Sequence, residues 1–209
     1  TPTSLMVEKL KNLKIETDLA SFFVEIPSND SDEYANFDVD FMLKRITEWN
    51  ASEFENFNLV EGKGDLLIVL LEEAIARNME EVVKILMTYG IDVNQISEKS
   101  RFNLPPAFIA CAFGFHKVLK LLLKDKNLMF KNEKIKKNLL HQTLMSSNVD
   151  PSDLHKCFDL LINDSRCTLD LINEKDGRGQ VPLFLANSSG NDEIAKELLK
   201  RGAYIGQEN

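Results

Sequence analysis

The segment from Asp176 to Ala203 constrains the fold more than any other feature, because its parts recur upstream at near-regular intervals. Asp176-Gly177 reads as a turn, and Val181-Pro182-Leu183-Phe184-Leu185-Ala186 opens a short helix that Gly190 breaks. Ile194-Ala195 and Leu198-Leu199 then make a second apolar stripe, which Gly202-Ala203 ends. Pro182 suits a first helical turn, where its missing N–H is no loss and its fixed φ preorganises the start. Gly190 and Gly202 permit the left-handed backbone that ends helices. The small Ala186 lets two helices approach closely.

The same scheme returns in three earlier segments. Residues 70–94 carry Leu70-Leu71, Ala74, Val82-Val83, Leu86-Met87 and Gly90-Ile91-Asp92-Val93-Asn94, with Asn78 in the glycine position. Asparagine is the usual substitute for glycine in a left-handed turn. Residues 105–123 carry Pro106, Ala110, Gly114, Val118-Leu119 and Leu122-Leu123, with Lys126 where a terminal glycine belongs. Residues 138–162 carry Asn138-Leu139-Leu140-His141, Cys157-Phe158 and Leu161-Ile162, with extra residues around Asn148 to Leu154 read as an inserted loop. Equivalent second-helix positions, Val82, Val118, Cys157 and Ile194, are separated by 36, 39 and 37 residues. A base period of about 33, lengthened by one insertion and longer hairpins, accounts for these intervals.

Four copies in register resemble the ankyrin repeat, whose first helix carries Thr-Pro-Leu-His-x-Ala-Ala and whose second ends in Leu-Leu-x-x-Gly-Ala. Val181 to Ala186 and Leu198-Leu199-Lys200-Arg201-Gly202-Ala203 are the nearest matches, and His141 is the one family histidine retained. The resemblance implies an all-α solenoid of stacked helix pairs joined by short hairpin loops over residues 63–209. It also implies that the His141 ring bridges backbone groups between units, and that the concave face of first helices binds protein partners. On that face the variable positions are Glu73, Arg77, Ile109, Phe113, Gln142 and Ser189, with Ile109 and Phe113 as apolar anchors.

The first third differs in composition. Residues 1–62 hold thirteen acids against five bases, whereas residues 63–209 hold twenty of each, and no glycine precedes Gly62. The chain's net charge of −8 therefore sits wholly in residues 1–62. Leu5, Met6, Leu10 and Leu13, then Leu19, Phe22, Phe23 and Ile26 after Thr17, have helical spacing. Phe41, Met42, Ile46 and Trp49, with Phe54, Phe57, Leu59 and Val60, suggest a second pair. We read residues 1–62 as divergent helical cap or degenerate repeats, since an end unit must present a polar outer surface. The stretch Asn29 to Asp40 reads as an exposed acidic linker.

No constellation for catalysis emerges, and the reading is of a binding protein and not an enzyme, with no cofactor, no metal and no nucleic-acid partner expected. His116, His141 and His155 lack nucleophile or metal-ligand spacing, and Asp30-Ser31-Asp32-Glu33 lacks the glycine and distal glutamate of a calcium loop. Gly62-Lys63-Gly64 and Gly177-Arg178-Gly179 lack the length and hydroxyl residue of a P-loop and read as turns. Cys111, Cys157 and Cys167 are odd in number and form no close pair, which fits a reducing cytoplasmic setting. The longest apolar run, Leu66 to Leu71, is six residues, against the roughly 20 needed to cross a bilayer. Lys117 to Lys137 contains eight lysines against Asp125 and Glu133. Lys131, Lys134, Lys136 and Lys137 are its candidate contacts for an anion, whether an anionic lipid headgroup, an inositol phosphate or the acidic stretch of a neighbouring chain.

Gly202 to Gly206 stops where another hairpin would begin, so the chain is expected to be a piece of a longer array. The insertion Asn148-Val149-Asp150-Pro151-Ser152-Asp153, leading into Cys157-Phe158-Asp159-Leu160-Leu161-Ile162, resembles insect sensory channels of the painless type. These belong to the ankyrin class of transient receptor potential channels. That resemblance implies the amino-terminal cytosolic part of a cation channel, on the cytosolic face of a membrane, with neighbouring subunits of a homotetramer as partners. The alternative is a soluble cytosolic adaptor or inhibitor that uses the same concave face.

Overall fold

The computed structural model describes residue 43 and residues 64–204, apart from 89 and 99. The helical cap expected over residues 1–62 and the acidic linker lie outside these residues, Leu43 excepted. Nine helices occur among the described residues: α1 Gly64–Ala76, α2 Glu80–Met87, α3 Pro106–Phe113, α4 His116–Leu122, α5 Leu139–Leu144, α6 Pro151–Ile162, α7 Leu169–Ile172, α8 Pro182–Ser188 and α9 Asp192–Lys200. The pairs α1/α2, α3/α4, α5/α6 and α8/α9 pack as neighbours. First helices stack in the order α1-α3-α5-α8, and second helices in the order α2-α4-α6, which makes two layers. The expected all-α solenoid is thus the observed architecture. One hairpin adds strands β1 Lys131–Asn132 and β2 Lys137–Asn138, paired antiparallel as Lys131↔Asn138 and Asn132↔Lys137.

Local chemistry sets the helix starts. Pro106, Pro151 and Pro182 open α3, α6 and α8, each after a residue with ψ between 131° and 157°. Asp150 caps α6 by accepting from the Ser152 N–H at 2.8 Å. The insertion is therefore loop only as far as Asp150, and residues 151–154 are the first turn of α6. Likewise Gly64, read as part of a turn, is the first residue of α1. Helix α9 carries Asp192 and Glu193 in its first turn and Lys200 in its last, matching the helix dipole, and buries Ile194, Ala195 and Leu198.

The turn between paired helices requires left-handed backbone. Asn78 has φ 55° in the first unit, as its position in the repeat predicts, and Gly114 has φ 70° in the second. Gly114 also faces Val149 of the following unit, and a methyl group at Gly114 would overlap Val149 Cγ1. Gly114→Ala is expected to destabilise the fold by about 1–3 kcal/mol, from backbone strain and overpacking together. Denaturant midpoints should fall accordingly, and adding Val149→Ala should restore part of the loss. A Gly114→Ala midpoint equal to that of the parent chain would contradict this packing.

The core runs continuously through the described units, from Leu67, Leu71 and Ile75 to Ala186, Ile194 and Leu198, and includes Leu43. Two polar devices repeat beside it. Asn94 donates to the Asn127 carbonyl at 2.9 Å and accepts from the Met129 N–H at 2.7 Å. Asn173 donates to the Gly202 carbonyl at 3.1 Å and accepts from the Tyr204 N–H at 3.0 Å. Each asparagine staples one hairpin to the next. Arg166 donates to the carbonyls of Leu123 and Asp125 at 2.8 and 2.7 Å, closing the end of α4. Arg201 donates to the Ile162 carbonyl at 3.0 Å and Asn163 Oδ1 at 2.7 Å, closing the end of α6. A cation suits these positions because the last carbonyls of a helix are unpaired and carry partial negative charge.

Candidate functional site

His141 joins the third and fourth units. Its backbone N–H donates to Asn138 Oδ1 at 3.1 Å, and its Nδ1 accepts from the Asn138 N–H at 3.3 Å, a reciprocal cap of α5. With Nδ1 accepting, the proton resides on Nε2, which donates to the carbonyls of Glu174 at 3.1 Å and Gln180 at 3.0 Å. Burial holds its pKa below the ordinary 6.5, even though the two carbonyls and nearby Asp176 and Glu174 favour the charged ring. The ring is a neutral bridge between units.

The six residues expected on the concave face divide into two columns. Aligning the units on Ala74, Ala110, Thr143 and Ala186 places Glu73, Ile109, Gln142 and Leu185 at one position and Arg77, Phe113, Ser146 and Ser189 four residues later. Ile109 is fully buried, so its reading as an accessible anchor is corrected: it is a core residue. Glu73, 8% exposed, and Leu185, also 8%, are nearly as enclosed, and Gln142 is half-buried. That column is covered because each first helix turns it toward the neighbouring helix of the stack. The second column stays open, with Arg77, Phe113 and Ser189 exposed and Ser146 half-buried. Ser189 bonds its hydroxyl back to the Leu185 carbonyl at 2.7 Å.

Around Phe113 the accessible column broadens into a patch. Phe113 stacks on Phe115 with ring centroids 5.6 Å apart and meets the edge of Phe102 at 6.2 Å. The Arg101 guanidinium lies 4.6 Å from the Phe102 ring centre and bonds Glu73 through Nε at 2.7 Å and Nη2 at 3.0 Å. Arg77 approaches the same carboxylate at 3.4 Å. Glu73 thus anchors two arginines beside an aromatic cluster, and Arg101, Phe102 and Phe115 join the residues anticipated from sequence. Arg101 lies 28 residues from Glu73, so their pairing could be found only once the hairpin was placed.

Of the four anion candidates, Lys131 is already engaged. It is ion-paired with Glu133 at 2.9 Å and with Glu174 of the next hairpin, and these bonds hold its pKa above the ordinary lysine value. Lys134 and Lys136 are exposed and Lys137 is half-buried, and none of the three has an ion pair among the described residues. Elsewhere in the lysine-rich stretch, Lys117 pairs with Glu80 at 3.6 Å. Lys120 and Lys124 line an open groove of about 650 Å³ with His116, Lys156, Asp159 and Asp164.

Among the described residues no group of three or more His, Cys, Asp or Glu side chains is arranged to hold a metal ion. No described helix is long and apolar enough to cross a membrane. Burial pushes all three thiols up, Cys157 to about 12 and Cys167 to about 11, with Cys111 shifted furthest. Alkylation at neutral pH should therefore be slow at Cys111 and Cys157 in the folded chain and fast after unfolding. Rapid labelling of either in the native state, read by mass spectrometry, would contradict the buried placement.

Stacked helix pairs with inter-unit asparagine, arginine and histidine bridges define a class, and residues 108–209 match the family described as ankyrin repeats, in three copies. The chain belongs to the ankyrin-repeat family, and α1/α2 adds a helix pair in register upstream of the matched residues. Within that class it is similar to the transient receptor potential cation channel protein painless of Drosophila melanogaster, at 33% identity over 141 residues. The alignment takes in 67% of this chain and 15% of the length of that relative.

Proposed function

We propose that this chain is the cytosolic ankyrin region of a sensory cation channel of the painless-like transient receptor potential type, acting there as a protein-interaction scaffold. The observation that carries this reading is the 33% identity to painless across two thirds of the chain. Its working surface is the open column Arg77, Phe113, Ser146 and Ser189, widened by Arg101 and Phe102. Glu73, Ile109 and Gln142 support that surface from beneath. Aromatic rings and arginine are the side chains that contribute most when a partner excludes water from them, and here Glu73 already holds the two arginines in place. In this role the partners are other proteins, including neighbouring subunits.

The test is a chimera in which this chain replaces the matching residues of the Drosophila channel. Stimulus-evoked currents at normal surface expression support the reading, and a chimera that reaches the surface without passing current counts against it. Phe113→Asp in that chimera should shift the stimulus response while leaving surface expression unchanged. A full-length transcript that ends without apolar segments of roughly 20 residues would instead favour a cytosolic adaptor.

A further inference from the structure

The tips of two successive hairpins meet along one edge of the solenoid. The Gly177 N–H donates to the Lys136 carbonyl at 2.9 Å, and a Cβ added to Gly177 would lie 3.3 Å from Lys136 Cβ. That contact brings Lys134, Lys136 and Lys137 of the first tip beside Lys175 and Arg178 of the second. The acids of the two tips are already taken. Glu133 and Glu174 both pair with Lys131. Asp176 is buried and accepts from the Arg178 and Gln180 N–H groups at 2.9 and 2.8 Å. Five cations therefore remain on one edge with no ion pair among the described residues.

We propose that this basic edge docks the acidic segment Asn29–Asp40 of a second copy of the chain. The segment contains Asp30, Asp32, Glu33, Asp38 and Asp40 and no base, so its charge is opposite to that of two tips where six bases, Lys131 included, stand against Glu133, Glu174 and Asp176. The cations are spread over two hairpin tips, which suits an extended peptide better than a single compact phosphate. A second copy is favoured over the chain's own segment by tether length. Leu43 is buried in the core, so Asp40, three residues before it, can lie no more than about 11 Å from it along an extended chain. The edge belongs to the third and fourth helix pairs, at least two pairs beyond the first, at roughly 8–10 Å per packed layer. A neighbouring copy is free of this tether and can lay the whole segment along the edge. The contact is heterologous, edge to segment, and such contacts generate rings or open chains of copies. The inference rests on the solenoid and its charges and stands apart from the channel reading.

Sedimentation velocity of the 209-residue chain tests it. Self-association is expected near 0.05 M salt and should weaken at least tenfold near 0.5 M, about what screening does to exposed charge pairs. Lys134→Glu with Lys137→Glu and Arg178→Glu should abolish association, as should Asp30→Lys with Asp32→Lys and Glu33→Lys. Reversing both sets in one chain should restore it. In a mixture of unlabelled and isotope-labelled chains, carbodiimide should link Asp30, Asp32 or Glu33 of one copy to Lys134 or Lys137 of another. A chain that stays monomeric at low salt overturns the proposal, as do links within single copies only. Association that survives either reversal, or binding of the edge to anionic vesicles without any self-association, overturns it equally. The cross-link is read on the unaltered chain, so misfolding of a variant cannot mask the result.

Discussion

Replacing His141 with alanine is expected to lower the unfolding free energy by about 3–5 kcal/mol, the cost of the lost buried hydrogen bonds together with the cavity left by the ring. The ring is fully buried and bonds three backbone groups: the Asn138 N–H and the carbonyls of Glu174 and Gln180. Alanine would leave the buried Asn138 N–H and the Glu174 carbonyl without these bonds, the Gln180 carbonyl keeping only the Asp176 N–H at 2.8 Å, and would open a cavity between the third and fourth units. The damage is directional, because a solenoid unit contacts only its neighbours. Amide hydrogen exchange should therefore accelerate most in α8 and α9, with α1 to α3 nearly unchanged. Uniform acceleration along the array, or none, would refute the assignment of His141 as the bridge.

The same residue sets a pH dependence whose sign is determined. Burial depresses the His141 pKa in the folded chain, so below the ordinary value of 6.5 the unfolded chain binds a proton that the folded chain resists. The neutral ring's contribution is fully present above about 6.5 and is lost as pH falls through and below that value. Protonation also removes the lone pair that accepts from Asn138. The melting temperature of the parent chain should decline from pH 7 to pH 5 more steeply than that of His141→Ala, and parallel curves would sink the idea.

The second large effect is expected at Phe158. This side chain is 1% exposed within α6, beside Cys157, Leu161 and Ile162. Phe158→Ala removes a buried ring from a helix that packs on α4 and α5, and should cost about 3–5 kcal/mol through lost burial and the residual cavity. Since α6 belongs to the third pair, the loss should uncouple the units before it from the one after it. Equilibrium unfolding by urea should broaden or separate into two steps. Leu199→Ala is the control: Leu199 is 52% exposed and its removal should change stability by about 0.5 kcal/mol or less. A sharp, unshifted transition for Phe158→Ala would show that the third unit is not the link we describe.

The repeat was legible because its signals are local. Prolines at first turns, Asn78 and Gly114 at left-handed turns, and apolar pairs at helical spacing each act within a few residues, and each formed the element its spacing predicts. His141 could also be placed, since the repeat implies its partners. The candidate site was less legible. Ile109 and Phe113 are both apolar and four residues apart on one helix, yet one is enclosed and the other 44% exposed. Periodicity identifies a helix but not which neighbour covers each side.

The sequence alone determined the repeat unit, its register, helix starts such as those at Pro106 and Pro182, and the sign of charge in each part of the chain, because these follow from residue type and short spacing. Only the tertiary structure decided which of those residues are free to act. Lys131 is held by Glu174, 43 positions away, and Glu73 is paired with Arg101 across 28. Arg166 reaches back 43 residues to the Leu123 carbonyl, and Gly177 sets Lys136 beside Arg178. Exposure and ion pairing depend on the unit stacked alongside, and the stacking distance is fixed by packing that no short stretch of sequence encodes.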